Sequence, residues 1–179
     1  MKPTPAQAAA IAAAASRLGV PAAWLDAIIH LESNYDPLAT NGMGSGARGL
    51  IQFMPDTARQ FFKVDADTLV AQHPDFIDQL NNCVVPYFKH YAPFPTQQSF
   101  YLTVFYPDYR HENLNKEFST KVQIQNPGIV TVGDYVDFVN TRMNPMLAAA
   151  IKNPVMPLAV LLSLGVLVYL YFQRGGRIA

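Results

Sequence analysis

Net charge and cysteine are both scarce in this chain, and each scarcity excludes a class of function. Thirteen basic and thirteen acidic residues cancel, so no strong field attracts nucleic acid or anionic lipid. Cys83 is the single cysteine, which excludes an internal disulfide and a multi-cysteine metal site. We therefore expect neither a nucleic-acid partner nor a cysteine-based metal centre.

Sequence signals for a cofactor or a metal are also missing. Gly44, Gly46 and Gly49 satisfy the spacing G-x-G-x-x-G, but a predicted helix and loop precede them, where a dinucleotide-binding fold has a strand. No Lys-Ser or Lys-Thr follows, so the segment is not a phosphate loop either. His111 and Glu112 have no partners at metal-ligand spacing. We expect no cofactor and no metal.

The chain does contain enough apolar sequence for one domain-sized core. Half of its 179 residues are hydrophobic, and many recur at the spacing of an α-helix. The pattern predicts a mostly α-helical domain over residues 1–143, with an irregular stretch at 108–128. The alanine-rich start is predicted to be the first helix and not a secretory signal, because alanine is only weakly apolar. The predicted helices are 5–18, 21–35, 50–62 with a break at Met54-Pro55, 75–91, 96–106 and 132–143, the last capped by Thr131.

Glu32 stands out because it is an acid on the apolar face of a helix. Ile28 and Ile29 belong to an apolar stripe, and Glu32 follows them by four and three residues. Asp36-Pro37 is expected to end the helix, since a residue before proline avoids the α conformation. Glu32 then lies in the last turn, where the helix dipole and partial burial both oppose its ionisation. A carboxyl that stays protonated near neutral pH is what a general acid requires.

The end of the chain predicts a membrane anchor. Val155–Phe172 is apolar and uncharged, and its length is close to the minimum for crossing a bilayer. We predict a linker at 144–154, a transmembrane helix at 155–172 and a short basic tail at 173–179. The positive charges on the two sides balance, so they do not fix the orientation. Ser163 and Gly165 would permit close helix contact and hence a homo-oligomer.

The residues around Glu32 resemble a known family. Glu32-Ser33, Pro37 and Ala39 are followed by residues 46–55, GARGLIQFMP. This is similar to the pattern E-S-x-x-x-P-x-A, then G-A-x-G-L-[MI]-Q-x-M-P, of the lytic transglycosylase (SLT) domain of the goose-type-lysozyme-like superfamily. The similarity is strongest over about residues 5–58. The later segments LTVFYP and NPGIVTVGDYV are similar to phage-encoded members.

The resemblance implies a lysozyme-like helical fold and an enzyme that cleaves the MurNAc–GlcNAc β-1,4 bond of peptidoglycan. Glu32 would protonate the leaving oxygen and then act as base towards the muramoyl C6 hydroxyl, which closes a 1,6-anhydro ring. Such a reaction needs no water nucleophile, which fits the absence of an obvious second carboxylate of the kind most glycosidases use. Asp36 and Asp56 are the nearest candidates, but their positions are typical of turn and helix-start residues.

The same resemblance implies a set of substrate-binding residues. Ser33 would orient Glu32 or the substrate, and Gln52 would form a hydrogen bond to a sugar in the cleft. Gly46, Gly49 and Leu50 would let the backbone approach the glycan closely, as small side chains permit.

One motif of the family is missing from this chain. Family members usually carry Tyr-Asn-x-Gly, whose tyrosine reaches the catalytic acid, and no such tetrapeptide occurs here. Tyr106, within the segment VFYP, lies at the expected distance along the chain and is our candidate for the same role. Tyr101 is the alternative.

These expectations lead to functions of different classes. The first is a membrane-anchored lytic transglycosylase, phage-encoded, that opens the cell wall locally during genome entry. It would be located in the virion membrane or the bacterial cell envelope, and its partners would be peptidoglycan strands, the membrane and virion proteins. The alternative is a virion structural or channel protein whose lysozyme-like domain binds glycan with little or no catalysis. A cellular wall-remodelling enzyme is a third possibility. An intact Glu32 favours catalysis.

Overall fold

The computed structural model describes residues 2–42 and 44–143, and over these residues the chain is mostly helical and has no strand. Met1–Val139 form one compact unit. The α-helices are α1 Pro5–Leu18, α2 Ala22–Ser33, α3 Pro55–Phe62, α4 Ala66–Gln72, α5 Phe76–Gln79, α6 Val85–Tyr91, α7 Gln97–Phe105, α8 Thr120–Gln125 and α9 Val132–Met143. A π-helical segment at Leu80–Val84 joins α5 to α6, and a short 3-10 helix, Pro107–Tyr109, follows α7.

Helices with local capping signals begin where the sequence predicts. Thr4 caps α1 by accepting a hydrogen bond from the Gln7 N–H, and Gly19 ends the helix in the left-handed conformation. Thr131 accepts a hydrogen bond from the Asp134 N–H at the start of α9. The predicted bounds 5–18 and 132–143 are therefore confirmed.

Several predicted elements differ from the structure. The helix predicted at 50–62 begins only at Pro55, because Gln52 has a positive φ of 51° that a helix cannot include. The region 75–91 is helical but contains the π segment, which precedes Pro86. Proline has no N–H to donate to the i−4 carbonyl and its ring crowds the preceding turn, so the regular α-helical hydrogen bonding is interrupted there. The stretch 108–128, expected to be irregular, contains α8, which buries no side chain and so has no apolar period to predict it. Helix α4, capped by Asp65, was also not predicted.

Helix α2 ends at Ser33, before the predicted stop at Asp36-Pro37. Asn34 takes the left-handed conformation with a φ of 52°, and its N–H donates to the His30 carbonyl at 3.0 Å. Asparagine adopts this conformation more readily than most residues, so it can end a helix as glycine does. The correction keeps Glu32 in the last turn.

The next residue holds the end of α2 in place. Tyr35 also has a positive φ, 69°, which is a strained conformation for a bulky residue. Its hydroxyl donates to Asp26 Oδ1 at 3.1 Å, and its ring stacks on that of His30 with the centroids 5.3 Å apart. Through these contacts Tyr35, just after the end of α2, packs back onto the side of the same helix.

Gln79 connects the segment 46–55 to the rest of the domain through hydrogen bonds. Its side chain is fully buried, and Oε1 accepts the Leu50 N–H at 2.6 Å. Its Nε2 donates to the carbonyl oxygens of Pro37 and His73, both at 2.9 Å. Because a buried amide must be satisfied, these bonds fix the spacing of three chain segments.

Glycine is required where this amide approaches the backbone. Gly49 has a φ of 80°, and a Cβ added to it would lie 2.5 Å from Gln79 Oε1. The Gly49 N–H also donates to the Ala39 carbonyl at 2.9 Å, which links the segment to the chain just after α2.

The predicted linker at 144–154, the span at 155–172 and the tail at 173–179 lie outside the described residues. Within residues 2–42 and 44–143, no helix is both long enough and apolar enough to cross a membrane.

Gly49→Ala is expected to destabilise the protein more than Gly44→Ala. Both glycines have positive φ, 80° and 75°, so each change carries a backbone penalty of about 1–2 kcal/mol. Only at Gly49 does the added Cβ meet Gln79, and that crowding adds about 1–3 kcal/mol. Denaturant unfolding of the two variants measures the difference, and equal losses would refute the close packing of Gln79 on Gly49.

Candidate active site

Glu32 lies in the last turn of α2 and is half-buried. Leu25, Ile28 and Ile29 on the same helix are fully buried, so the carboxyl continues a stripe that packs into the core. Burial raises the pKa of Glu32 from the ordinary 4.5 to about 7. Across the described part of the chain, no cation forms an ion pair with it. A carboxyl in this environment is available as a proton donor near neutral pH.

Tyr135 of α9 is the phenol coupled to Glu32. It is 2% exposed, and its ring stacks on Phe105 of α7 with the centroids 4.2 Å apart. Burial raises the pKa of Tyr135 well above its ordinary range, and the nearby charges of Glu32 and Tyr101 raise it further. The Tyr135 hydroxyl is buried and has no hydrogen-bond partner among the described residues. A buried hydroxyl without an acceptor in the described structure therefore lies within electrostatic range of the candidate acid.

The two tyrosines predicted from the missing motif have other contacts. The Tyr106 ring packs against Tyr109 and Phe118, with centroid separations of 4.7 and 5.7 Å. Tyr101 is fully buried, and its hydroxyl accepts a hydrogen bond from Gln97 Nε2 at 2.9 Å. Tyr101 is electrostatically coupled to Tyr135. Tyr135 thus interacts electrostatically with both Glu32 and Tyr101, whereas Tyr106 packs against the rings of Tyr109 and Phe118.

Ser33 and Gln52 are both held by hydrogen bonds to the backbone. Ser33 is buried, and its hydroxyl donates to the Ile29 carbonyl at 2.9 Å. Gln52 Nε2 donates to the carbonyl oxygens of Gly49 at 3.1 Å and Ala39 at 3.3 Å. Both N–H groups of the Gln52 amide are therefore in use, and its Oε1 is the atom that could accept a bond from a sugar hydroxyl.

The remaining predicted residues differ in exposure. Gly46 is exposed, and a Cβ there would lie 3.1 Å from Pro55 Cγ. Gly49 is buried against Gln79, and Leu50 has no exposed surface. Close approach of a glycan to the backbone is thus geometrically open at Gly46, whereas Gly49 and Leu50 pack into the core.

A shallow pocket lies beside Gln52. Its empty volume is about 230 Å³, counting the side open to solvent, and Met54, Thr57, Tyr87 and Val104 are among its lining residues. Met54 is 47% exposed, so its side chain is accessible to a ligand in this pocket. The pocket extends the candidate site from the segment 46–55 towards α6 and α7.

The two carboxylates weighed as partners for Glu32 have structural roles. Asp36 Oδ1 accepts the Leu38 N–H at 2.8 Å in a turn, and Asp56 forms an exposed ion pair with Arg59 in the first turn of α3. Their prediction as turn and helix-start residues is confirmed. Within the described ranges, no group of three His, Cys, Asp or Glu side chains is arranged to hold a metal ion.

Comparison with protein families identifies the segment that contains the acid. Residues 9–75 match the family model described as Transglycosylase SLT domain. The match includes Glu32 and the whole segment 46–55, and it confirms the resemblance seen in the sequence. It implies lytic transglycosylase activity in general, with peptidoglycan glycan as the substrate. Comparisons with curated proteins and with solved structures found no match.

Tyr135 lies outside the matched segment and was not predicted as a site residue. The signal that could have found it is the stripe on α9, in which Val132, Tyr135 and Val139 are the buried positions. A tyrosine in such a stripe brings a hydroxyl into the core, and a buried hydroxyl needs a partner.

Tyr135→Phe is expected to lower turnover without destabilising the fold. The phenol has no hydrogen bond to lose in the described structure, so the free energy of unfolding should change by less than about 0.5 kcal/mol or rise. Turnover on peptidoglycan should fall about tenfold, because the carboxylate formed when Glu32 gives up its proton loses a donor.

Tyr87→Phe serves as the comparison for stability. Its hydroxyl donates to the Thr103 carbonyl at 2.7 Å, so its loss should cost about 1 kcal/mol. If Tyr135→Phe instead showed the larger loss of stability and normal turnover, Tyr135 would not belong to the active site.

Proposed function

We propose that this protein is a membrane-anchored peptidoglycan lytic transglycosylase that cleaves the MurNAc–GlcNAc β-1,4 bond and forms a 1,6-anhydro ring. The observation that carries the proposal is Glu32: a half-buried acid with a pKa of about 7, inside the segment that matches the transglycosylase domain. That pKa allows one group to give up a proton and take one back at neutral pH.

The proposed reaction uses Glu32 twice. The protonated carboxyl donates its proton to the glycosidic oxygen as the bond from that oxygen to the muramoyl C1 breaks, and the GlcNAc end leaves with a free hydroxyl. The acetamido group of the substrate can assist at C1. The Glu32 carboxylate then takes the proton from the muramoyl C6 hydroxyl, whose oxygen bonds to C1. Glu32 is therefore protonated again at the end of the reaction, and no water is consumed.

The surroundings of Glu32 support this use of a single acid. The two acids weighed as partners, Asp36 and Asp56, are engaged elsewhere, so neither supplies the second carboxylate that a two-carboxylate hydrolysis requires. The Tyr135 hydroxyl, which has no partner in the described structure, would donate to the Glu32 carboxylate formed between the two steps.

We further propose that the enzyme opens the cell wall locally during phage genome entry and is held at the virion membrane or cell envelope by residues 155–172. Two sequence features support this setting: the uncharged apolar run Val155–Phe172 and the similarity of the later segments to phage-encoded members. Tethering would confine cleavage to the wall next to the membrane.

Glu32→Gln is expected to abolish cleavage. Purified full-length chain is incubated with peptidoglycan, and 1,6-anhydromuropeptides are measured by mass spectrometry. Loss of the acid should lower the rate at least about a hundredfold. The wild-type rate should fall as pH rises through about 7, because Glu32 must be protonated when cleavage begins.

Asp36→Asn is the matched control, since it removes an exposed carboxylate close to Glu32 in the sequence. It should retain activity and the same pH profile. If neither wild type nor Glu32→Gln released anhydromuropeptides, the enzymatic proposal would fail in favour of a glycan-binding structural role. Products with reducing ends from wild type would show hydrolysis in place of ring closure.

Alkaline carbonate extraction tests the anchor. Full-length protein expressed in bacteria should stay with the membrane pellet, whereas a chain truncated after Asn153 should be released. Release of the full-length chain by carbonate would refute a membrane-spanning segment.

A further inference from the structure

Arg110 is a cation with no anionic partner in the described part of the chain. It follows the 3-10 helix Pro107–Tyr109 and is half-buried. Its Nη1 donates to the Pro107 carbonyl at 3.0 Å, and its guanidinium carbon lies 5.3 Å from the centroid of the Tyr91 ring. The backbone carbonyl and the aromatic face together hold the guanidinium in one orientation.

The hydrogen-bonding capacity of Arg110 is largely unused. Its Nε is buried without an acceptor among residues 2–42 and 44–143, and Nη2, which is not fully buried, has no acceptor there either. Three other arginines have side-chain acceptors: Arg17 on Asn81, Arg48 on Asp67 and Arg59 on Asp56. A buried donor without an acceptor is unfavourable for stability, so stability alone does not account for the placement of Arg110.

Arg110 lies at the edge of the candidate site. The Tyr91 ring beneath it packs against Tyr87, with the centroids 5.2 Å apart, and Tyr87 lines the pocket beside Gln52. Burial raises the pKa of Tyr87, and the neighbouring Tyr91 raises it further. The chain of contacts therefore runs from the pocket through Tyr87 and Tyr91 to a positive charge whose Nη2 is not fully buried.

We propose that Arg110 binds a carboxylate of the peptide stem on the muramic-acid residue and so makes the enzyme prefer stem-bearing glycan chains. This inference rests on the proposed function, because the stem is part of peptidoglycan. The charged Nη2–H group can form a charge-assisted hydrogen bond to a carboxylate, which is stronger than a bond between neutral groups. Since Tyr91 and Pro107 already fix its orientation, little side-chain freedom remains to be lost on binding.

A second cation on a tyrosine provides the matched control. The Lys116 ammonium lies 5.2 Å from the centroid of the Tyr109 ring, the same kind of contact as Arg110 on Tyr91. Tyr109 packs on Phe118 and Tyr106 and is not among the residues that line the pocket. Replacement of Lys116 therefore removes a comparable charge and aromatic contact away from the pocket.

The experiment measures kcat/KM of the full-length protein on three forms of the same glycan chains. The first carries intact stems, the second has had its stems removed by an amidase, and the third carries stems whose carboxylates have been converted to amides. Wild type should cleave the first about tenfold faster than either of the others, as expected for one charge-assisted pair at a half-exposed site. Arg110→Gln should reduce this ratio to near one, Arg110→Lys should give an intermediate ratio, and Lys116→Gln should leave the wild-type ratio unchanged.

Each outcome bears on one of the two proposals. If wild type cleaves none of the substrates, the proposed function fails. If wild type cleaves all three equally, or if Arg110→Gln and Lys116→Gln change the ratio alike, the proposed function stands and the stem-binding role of Arg110 is refuted. The amidated substrate tests the charge with wild type alone, so the answer does not depend on whether Arg110→Gln folds.

Discussion

The site depends on a carboxyl group that is half-buried without a cation beside it in the described structure. Burial raises the pKa of Glu32 from 4.5 to about 7, so the folded protein holds this proton more tightly than the unfolded chain. The stability present below pH 4.5 is consequently lost as pH rises towards 7, by an amount on the order of 3 kcal/mol. Leu25, Ile28 and Ile29 on the same helix each contribute about 1.5–3 kcal/mol by burial, which is enough to offset that loss.

A raised pKa contributes to catalysis only if the acid is held in one position. Two sets of contacts fix the segments on either side of it. The left-handed turn at Asn34 and Tyr35, tied to Asp26, closes the helix one residue after Ser33. The buried amide of Gln79 then joins the turn at Pro37 to the Leu50 backbone, which sets the distance between the end of α2 and the segment 46–55. Neither set of contacts supplies a cation that pairs with the Glu32 carboxyl.

The sequence predicts those parts of the structure whose causes are local. The bounds of α1 and α9 follow from Thr4, Gly19 and Thr131, and the apolar stripe of α2 places Glu32 correctly. The end of α2 could not be predicted from the sequence, because an asparagine in the left-handed conformation leaves no trace in the apolar pattern. The proline further along the chain is the stronger sequence signal for a helix end. The contacts of Tyr135 and Gln79 could not be predicted from the sequence either, because they join segments that are far apart in the chain.

In the proposed reaction a single carboxyl first donates a proton and then accepts one, so its environment has to suit both steps. Burial without a cation makes Glu32 a ready acid when protonated, and the same burial makes its carboxylate a stronger base once the proton has left. A permanent ion pair would stabilise the carboxylate and weaken both steps. A neutral phenol such as Tyr135 can donate to the carboxylate when it forms, without imposing a charge on the protonated acid. For the proposed reaction, a tyrosine at this position therefore suits both steps better than an arginine or lysine would.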